Sequence, residues 1–256
     1  MKTIIQKSPH QRPLSTLSSR LKHALLIFGA VTLIAPSAGA MDNFNQAKKV
    51  LPSIYKELSS PTTIYCGCPL SIERNRLRLD LRACGYKVRK QAKRAARVEY
   101  EHVMPAWEFG HQLKCWQDGG RKRCTSGKNG DTKFKQMEGD LHNLFPSVGE
   151  VNGDRANFRF SEWNAVPTQY GQCEMVVDFK GRRAQPPKRS RGMIARAYLY
   201  MADKYGIRLS QAQSRLYQVW NRQYAPDDNE CLRNELIAKV QGNDNPFVTK
   251  ACALRK

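Results

Sequence analysis

The sequence predicts an α+β fold: a single helix-rich mixed domain with a small β element, stapled by disulfides. Three observations carry this. Apolar residues recur at helical spacing in three stretches, 43–59, 194–205 and 210–224. One run alternates at period two, residues 98–104, and Pro105 ends it. Eight cysteines, an even number, all fall after residue 65. With 256 residues, 41% hydrophobic and 25% charged, the chain has an ordinary globular composition, which excludes collagen-like, repeat, coiled-coil and wholly disordered classes.

Residues 1–40 read as an address. Lys2, Lys7, Arg12, Arg20 and Lys22 form a positive leader without an acid. The apolar run Ala24 to Ala35 is shorter than the ~20 residues a bilayer span needs. Ala38-Gly39-Ala40 then matches a small-x-small cleavage site. A cleaved signal peptide over 1–40 leaves one domain, 41–256, in the periplasm or secreted, with no membrane association and a monomeric state expected. The formal charge of +21 drops only to +16 when the leader's five cations are removed. The excess therefore belongs to the folded part and calls for a polyanionic partner.

Residues 43–59 place Ala47, Val50, Leu51, Ile54, Tyr55 and Leu58 on one helix face, with a kink or restart expected at Pro52. Residues 60–98 read as loop-rich and basic, with ten Lys/Arg between Arg74 and Arg97. Short helices are expected at 132–138 and 149–157, with an extended segment at 140–145 between them. Ile194, Ala197, Tyr198, Met201 and Tyr205 mark a helix that Gly206 caps. Ser210 with Gln213 opens the next as a capping box, and Leu216, Val219, Trp220 and Tyr224 continue it to Pro226. These aromatics read as core. In an exported chain the cysteines read as four bridges. Cys66 and Cys68 are too close to pair with each other easily, Cys115 and Cys124 are plausible mates, and Cys231 and Cys252 would fasten the C-terminal segment. Zinc spacing is absent.

The residue types that do chemistry crowd into 97–164. The three histidines after the leader, His102, His111 and His142, all lie there. A basic protein that cuts a phosphodiester needs a base for water, a hard cation for the phosphate and leaving oxygen, and a fixed positive group. A histidine, a carboxylate with an amide oxygen, and an arginine supply these, and Mg²⁺ accepts so few protein oxygens.

The runs Glu101-His102-Val103-Met104-Pro105-Ala106-Trp107, Cys115-Trp116-Gln117-Asp118-Gly119-Gly120-Arg121, Asp140-Leu141-His142-Asn143-Leu144 and Gly149-Glu150-Val151-Asn152-Gly153-Asp154-Arg155 resemble bacterial endonuclease I. The resemblance runs from about Tyr65 to Lys256. That family's members are secreted or periplasmic non-specific nucleases with a ββα-metal (His-Me finger) motif. The resemblance implies His102 as general base, Glu101 and Asn152 as ligands of Mg²⁺ (or another divalent cation), and Arg121 on the scissile phosphate. It implies DNA as substrate, with RNA open, and 5′-phosphate products. Glu99 is the alternative to Glu101, Asn143 to Asn152, and Lys122 or Arg123 to Arg121. Asp140 and Asp154 read as braces. Phosphate contacts are expected from Arg94, Arg97, Lys122, Arg123, Arg155, Arg189 and Arg191, within basic tracks at 74–97 and 182–196.

One physical difficulty is that neighbours on a strand face opposite sides. Glu101 and His102 serve one site only if the strand ends or twists there. The rival from another class is a non-catalytic exported binder of nucleic acid or another polyanion, which the charge alone supports equally well. A polysaccharide-active enzyme would need paired carboxylates instead.

Overall fold

A helix opens the part of the chain described by the computed structural model, residues 41–255, which belong to one compact unit, Ser37–Lys256. The signal peptide assigned to 1–40 lies outside the described residues. Helix α1 (Phe44–Lys56) is capped by Asn43, whose side chain accepts from the Gln46 backbone N–H at 3.1 Å. Pro52 lies inside it without ending it, and Ala47, Leu51, Ile54 and Tyr55 are buried.

Within the stretch expected to be loop, β1 (Leu70–Glu73) and β2 (Arg76–Leu79) form an antiparallel hairpin. Arg74 and Asn75 both have positive φ, 47° and 59°. That is the two-residue turn whose twist matches the strands. Arg-Asn lacks the Asn-Gly signature that announces such a turn, so composition hides the hairpin.

There follow α2 (Ala92–Ala95), β3 (Val98–His102), α3 (Ala106–Gly110), α4 (Lys114–Gln117), α5 (Gly120–Thr125) and α6 (Thr132–Gly139). A 3₁₀ turn at Leu141–Asn143 leads into β4 (Leu144–Val148) and α7 (Gly149–Arg155). The segment expected to be extended from 140 thus starts as a turn, because the Asp140 carboxylate accepts from the His142 N–H at 3.0 Å. Strand β3 ends at His102, two residues earlier than alternation suggested.

Strands β5 (Arg159–Phe160), β6 (Val176–Asp178) and β7 (Arg183–Gln185) form a small sheet in the order β5-β7-β6. They are too short to show a period. Helices α8 (Lys188–Tyr205), α9 (Gln211–Gln223), α10 (Asp228–Gln241) and α11 (Pro246–Ala253) complete the chain. Gly206 caps α8 in the left-handed conformation, and the Ser210–Gln213 capping box is formed. Ile194, Tyr198, Met201, Tyr217 and Trp220 are buried in the main core with Phe109 and Phe134, whereas Val219 is exposed. A second cluster joins α1 to the hairpin through Leu51, Leu70 and Leu77. Among the described residues, no helix is long and apolar enough to cross a membrane.

All eight cysteines pair: Cys66–Cys173, Cys68–Cys84, Cys115–Cys124 and Cys231–Cys252. Cys66 and Cys68 take separate partners, and Cys115 takes Cys124. Cys231 and Cys252 bond to each other and so tie α10 to α11. Loop-closure entropy grows with the span closed: about 5 kcal/mol for a separation near 100 residues and about 2.5 kcal/mol near 10. The separations are 107 for Cys66–Cys173 and 9 for Cys115–Cys124. Denaturant titration of the paired Cys→Ser variants should therefore show the Cys66/Cys173 pair losing about 2 kcal/mol more than the Cys115/Cys124 pair. Equal losses would refute that ordering.

Candidate active site

The site is built on β3, β4 and α7. The strands pair antiparallel, with Glu101 opposite Phe145 and His102 opposite Leu144. Helix α7 follows β4 directly, and the Gly149 N–H donates to the Arg97 carbonyl at 2.9 Å. A Cβ at Gly149 would run into the Arg94 carbonyl, so only glycine permits this closeness. Glu150 accepts from the Tyr86 hydroxyl at 2.7 Å, and Asp154 accepts from Arg89 (2.7 and 2.8 Å) and the Tyr170 hydroxyl (2.8 Å). These bonds pin α7, and Asp154 serves as a brace.

A cleft of about 580 Å³ brings together Glu101, His102, Arg121 and Asn152, with Arg94 and Phe44 on its walls. The adjacency of Glu101 and His102 is resolved because β3 ends at His102. His102 is 9% exposed, its ring 4.8 Å from that of Phe44. Its Nε2 lies 2.8 Å from the Glu138 carbonyl. A carbonyl only accepts, so Nε2 carries the hydrogen and Nδ1 keeps a free electron pair. Burial, then the Arg121 guanidinium, pulls the imidazole pKa down to about 3. The ring is therefore neutral near pH 7.

Glu101 is 3% exposed. The Tyr65 hydroxyl and Arg155 Nη1 both donate to its Oε1, each at 2.6 Å. Oε2 carries no hydrogen bond among the described residues. Burial pushes this carboxyl up, while Arg155 and the Tyr65 hydroxyl hold it down. Asn152 donates Nδ2 to Glu99 Oε2 at 2.9 Å, which leaves its Oδ1 without a partner among the described residues. Glu99 itself is consumed by Arg94 (2.7 and 2.9 Å), Arg97 (3.2 Å) and Asn152, so it orients the amide. Asn143 uses both amide atoms on Met104, at 2.7 and 2.9 Å, and braces the end of the hairpin formed by β3 and β4. Two residues that line the cleft thus each keep an uncommitted oxygen, one carboxylate and one amide, and this donor set fits a hard divalent cation. Among the described residues, no group of three or more His, Cys, Asp or Glu is placed to hold a metal. The amide oxygen is what completes this pair.

Arg121 enters from α5. Its Nε donates to the buried Glu138 carboxylate at 2.5 Å, and its guanidinium lies 5.6 Å from the Phe44 ring. Its terminal nitrogens make no bond among the described residues. Sequence reasoning missed Glu138, which holds His102 through its carbonyl and Arg121 through its carboxylate. It also missed Tyr65 and Phe44.

The expected phosphate contacts divide. Arg94 and Arg97 flank the cleft at Glu99, and Lys122 and Arg123 are exposed beside Arg121. Arg155 does not face a substrate: it is fully buried on Glu101 and the carbonyls of His102 and Val103. Arg191 is 5% exposed and paired with Glu162. Arg189 turns its guanidinium inward onto the Tyr65 carbonyl. Within the 182–196 track, Arg191 and Arg196 are thus buried in ion pairs, whereas Arg182 and Lys188 stay exposed, a division that a charge run in sequence does not reveal.

His111 caps its own helix, with Nδ1 2.8 Å from the Trp107 carbonyl. His142 is 2% exposed behind the 3₁₀ turn, its Nε2 3.0 Å from the Asn243 carbonyl. Burial lowers its pKa to about 4. Unfolded, the imidazole titrates near 6.5. Between those values the unfolded chain binds the extra proton, so stability falls as pH drops from about 6.5 toward 4. At pH 4.5 the loss from this group is on the order of 2–3 kcal/mol. His142→Gln should shrink the wild-type drop in urea stability between pH 7 and 4.5 by that amount, and an unchanged drop would contradict the assignment.

Residues 43–252 match the family model described as Endonuclease I. The chain belongs to the endonuclease I family. It is 56% identical over 225 residues to an extracellular deoxyribonuclease of Aeromonas hydrophila, covering 87% of this chain and 95% of the relative. A periplasmic deoxyribonuclease of Aeromonas hydrophila is 54% identical, with 89% and 95% covered. Endonuclease-1 of Buchnera aphidicola subsp. Baizongia pistaciae (strain Bp) is 46% identical, with 82% and 84% covered. This endonuclease I chain groups with relatives named as extracellular or periplasmic deoxyribonucleases.

Proposed function

We propose that this endonuclease I protein is an exported, sequence-non-specific endonuclease that hydrolyses DNA, and that β3, β4 and α7 form its ββα-metal motif. What supports the reading most is one observation: Glu101, Asn152, His102 and Arg121 line one cleft, each with unspent bonding capacity there. The deoxyribonuclease names of relatives at 54–56% identity point the same way.

Glu101 Oε2 and Asn152 Oδ1 would hold a Mg²⁺ ion. Such an ion, when bound, draws negative charge from the phosphate and the leaving 3′ oxygen. His102 Nδ1 takes a proton from the attacking water, and the Glu138 carbonyl keeps the ring in that tautomer. Arg121 holds non-bridging phosphate oxygens with its free nitrogens while Glu138 fixes its reach. Tyr65 and Arg155 fix Glu101. The product carries a 5′ phosphate.

Plasmid nicking by the oxidised protein tests this. Nicking in Mg²⁺, its abolition by EDTA and its return with added Mg²⁺ are expected, and an RNA substrate in the same buffer settles the second substrate class. Undiminished cutting in EDTA would overturn the metal assignment, and no cutting in Mg²⁺ would overturn the nuclease reading.

A further inference from the structure

We propose that the trough beside the hairpin of β1 and β2 is a second phosphate-binding subsite, which grips a nucleic-acid strand a few nucleotides from the catalytic cleft. The proposal rests on the nuclease reading for its substrate but concerns residues outside the catalytic group. The trough, about 400 Å³, is lined by Lys48, Arg76, Arg78 and Arg97 and by no Asp or Glu. It shares Lys48, Val98 and Tyr100 with the catalytic cleft, so the two concavities are continuous.

The arm that carries it is anchored. Along β2 the side chains alternate: Leu77 is buried, 7% exposed, in the cluster with Leu51 and Leu70, while Arg76 and Arg78 are exposed. Among the described residues Arg78 pairs with Glu73 alone, at 3.4 Å, and both side chains are more than half exposed, a pairing that holds little in water. The Arg97 side chain is 63% exposed. Guanidinium groups on a rigid hairpin, facing a groove without acids, suit the planar two-oxygen grip of a phosphate. Small solitary anions would gain from one such group. A polyanion long enough to reach from the cleft would engage several.

The span follows from β3. From Arg97 to His102 the chain runs five extended steps, about 17 Å at ~3.4 Å each. A strand that leaves the cleft along this path therefore meets the subsite a few nucleotides from the phosphate held in the cleft.

Fluorescence anisotropy with the oxidised full chain in EDTA tests this, using a labelled 20-base-pair duplex and a labelled trinucleotide. For Arg76→Ala/Arg78→Ala, duplex affinity should fall about tenfold near 0.1 M salt. The slope of log affinity against log salt should shrink by about 2. Trinucleotide binding, which cannot span the distance, should stay at the wild-type level, and Arg76→Lys/Arg78→Lys should recover most of the duplex affinity. An unchanged duplex affinity and salt slope would overturn the subsite, as would an equal loss on the trinucleotide. A wild-type protein that binds the duplex in this way yet never nicks DNA in Mg²⁺ would refute the nuclease reading and leave the subsite standing.

Discussion

His102→Ala is expected to slow plasmid nicking by roughly 10² to 10⁴-fold, the usual worth of a positioned general base. Duplex binding should stay within about twofold, because the phosphate grip falls to arginines and lysines. The expectation is sharp because, among the described residues, His102 is the one histidine that lines the cleft, while His111 and His142 are spent elsewhere. His102→Asn is the companion variant. It keeps a polar group near the Glu138 carbonyl but supplies no nitrogen able to take a proton. Wild-type nicking by either variant would remove His102 from the mechanism. Loss of binding together with activity would point to a collapsed cleft between Phe44 and Phe109.

Arg155→Ala should lower stability by about 3–5 kcal/mol, since it strands a carboxylate at the bottom of the cleft. That corresponds to a melting point roughly 6–20 °C lower for a domain of this size. The guanidinium is 0% exposed, sits 4.2 Å from the Phe160 ring, and donates to Glu101 and two backbone carbonyls. Lysine cannot serve three acceptors at fixed angles, so Arg155→Lys should fall far short of rescue. Thermal melts separate this from a DNA-contact role. A surface contact would leave the melt untouched and flatten only the salt dependence of binding. A shift below 2 °C would overturn the structural role given to Arg155.

Different parts of the molecule were legible to different degrees. Helices α1, α8 and α9 could be drawn from spacing and caps, because one buried face per helix leaves a regular imprint. Pro52 does not restart the helix, since a helix held by Ala47, Leu51 and Ile54 tolerates the lost bond. The hairpin of β1 and β2 escaped because each strand has four residues and its turn lacks glycine. In the site, Glu101, His102, Arg121 and Asn152 could be named from linear motifs, and their convergence on one cleft agrees with that. Glu138 and Tyr65 could not, because each acts through a contact 36 residues away in the chain, on His102 and Glu101 respectively. The basic tracks were half legible. Arg94 and Arg97 of the first track flank the cleft, whereas in the second Arg191 is buried on Glu162 and Arg189 is held on the Tyr65 carbonyl.

The sequence by itself determined the helix-rich α+β class, the four-bridge count, the strong positive charge and the membership signalled by the motifs around His102. All of these are written in local spacing, composition and residue type. The tertiary structure alone decided which oxygens and nitrogens remain free in the cleft, which cysteines meet, and which cations face solvent. Those outcomes depend on which buried acid or carbonyl claims a given donor. Such claims are settled by burial across long separations, as when Arg155 closes on Glu101 Oε1 and leaves Oε2 without a partner among the described residues.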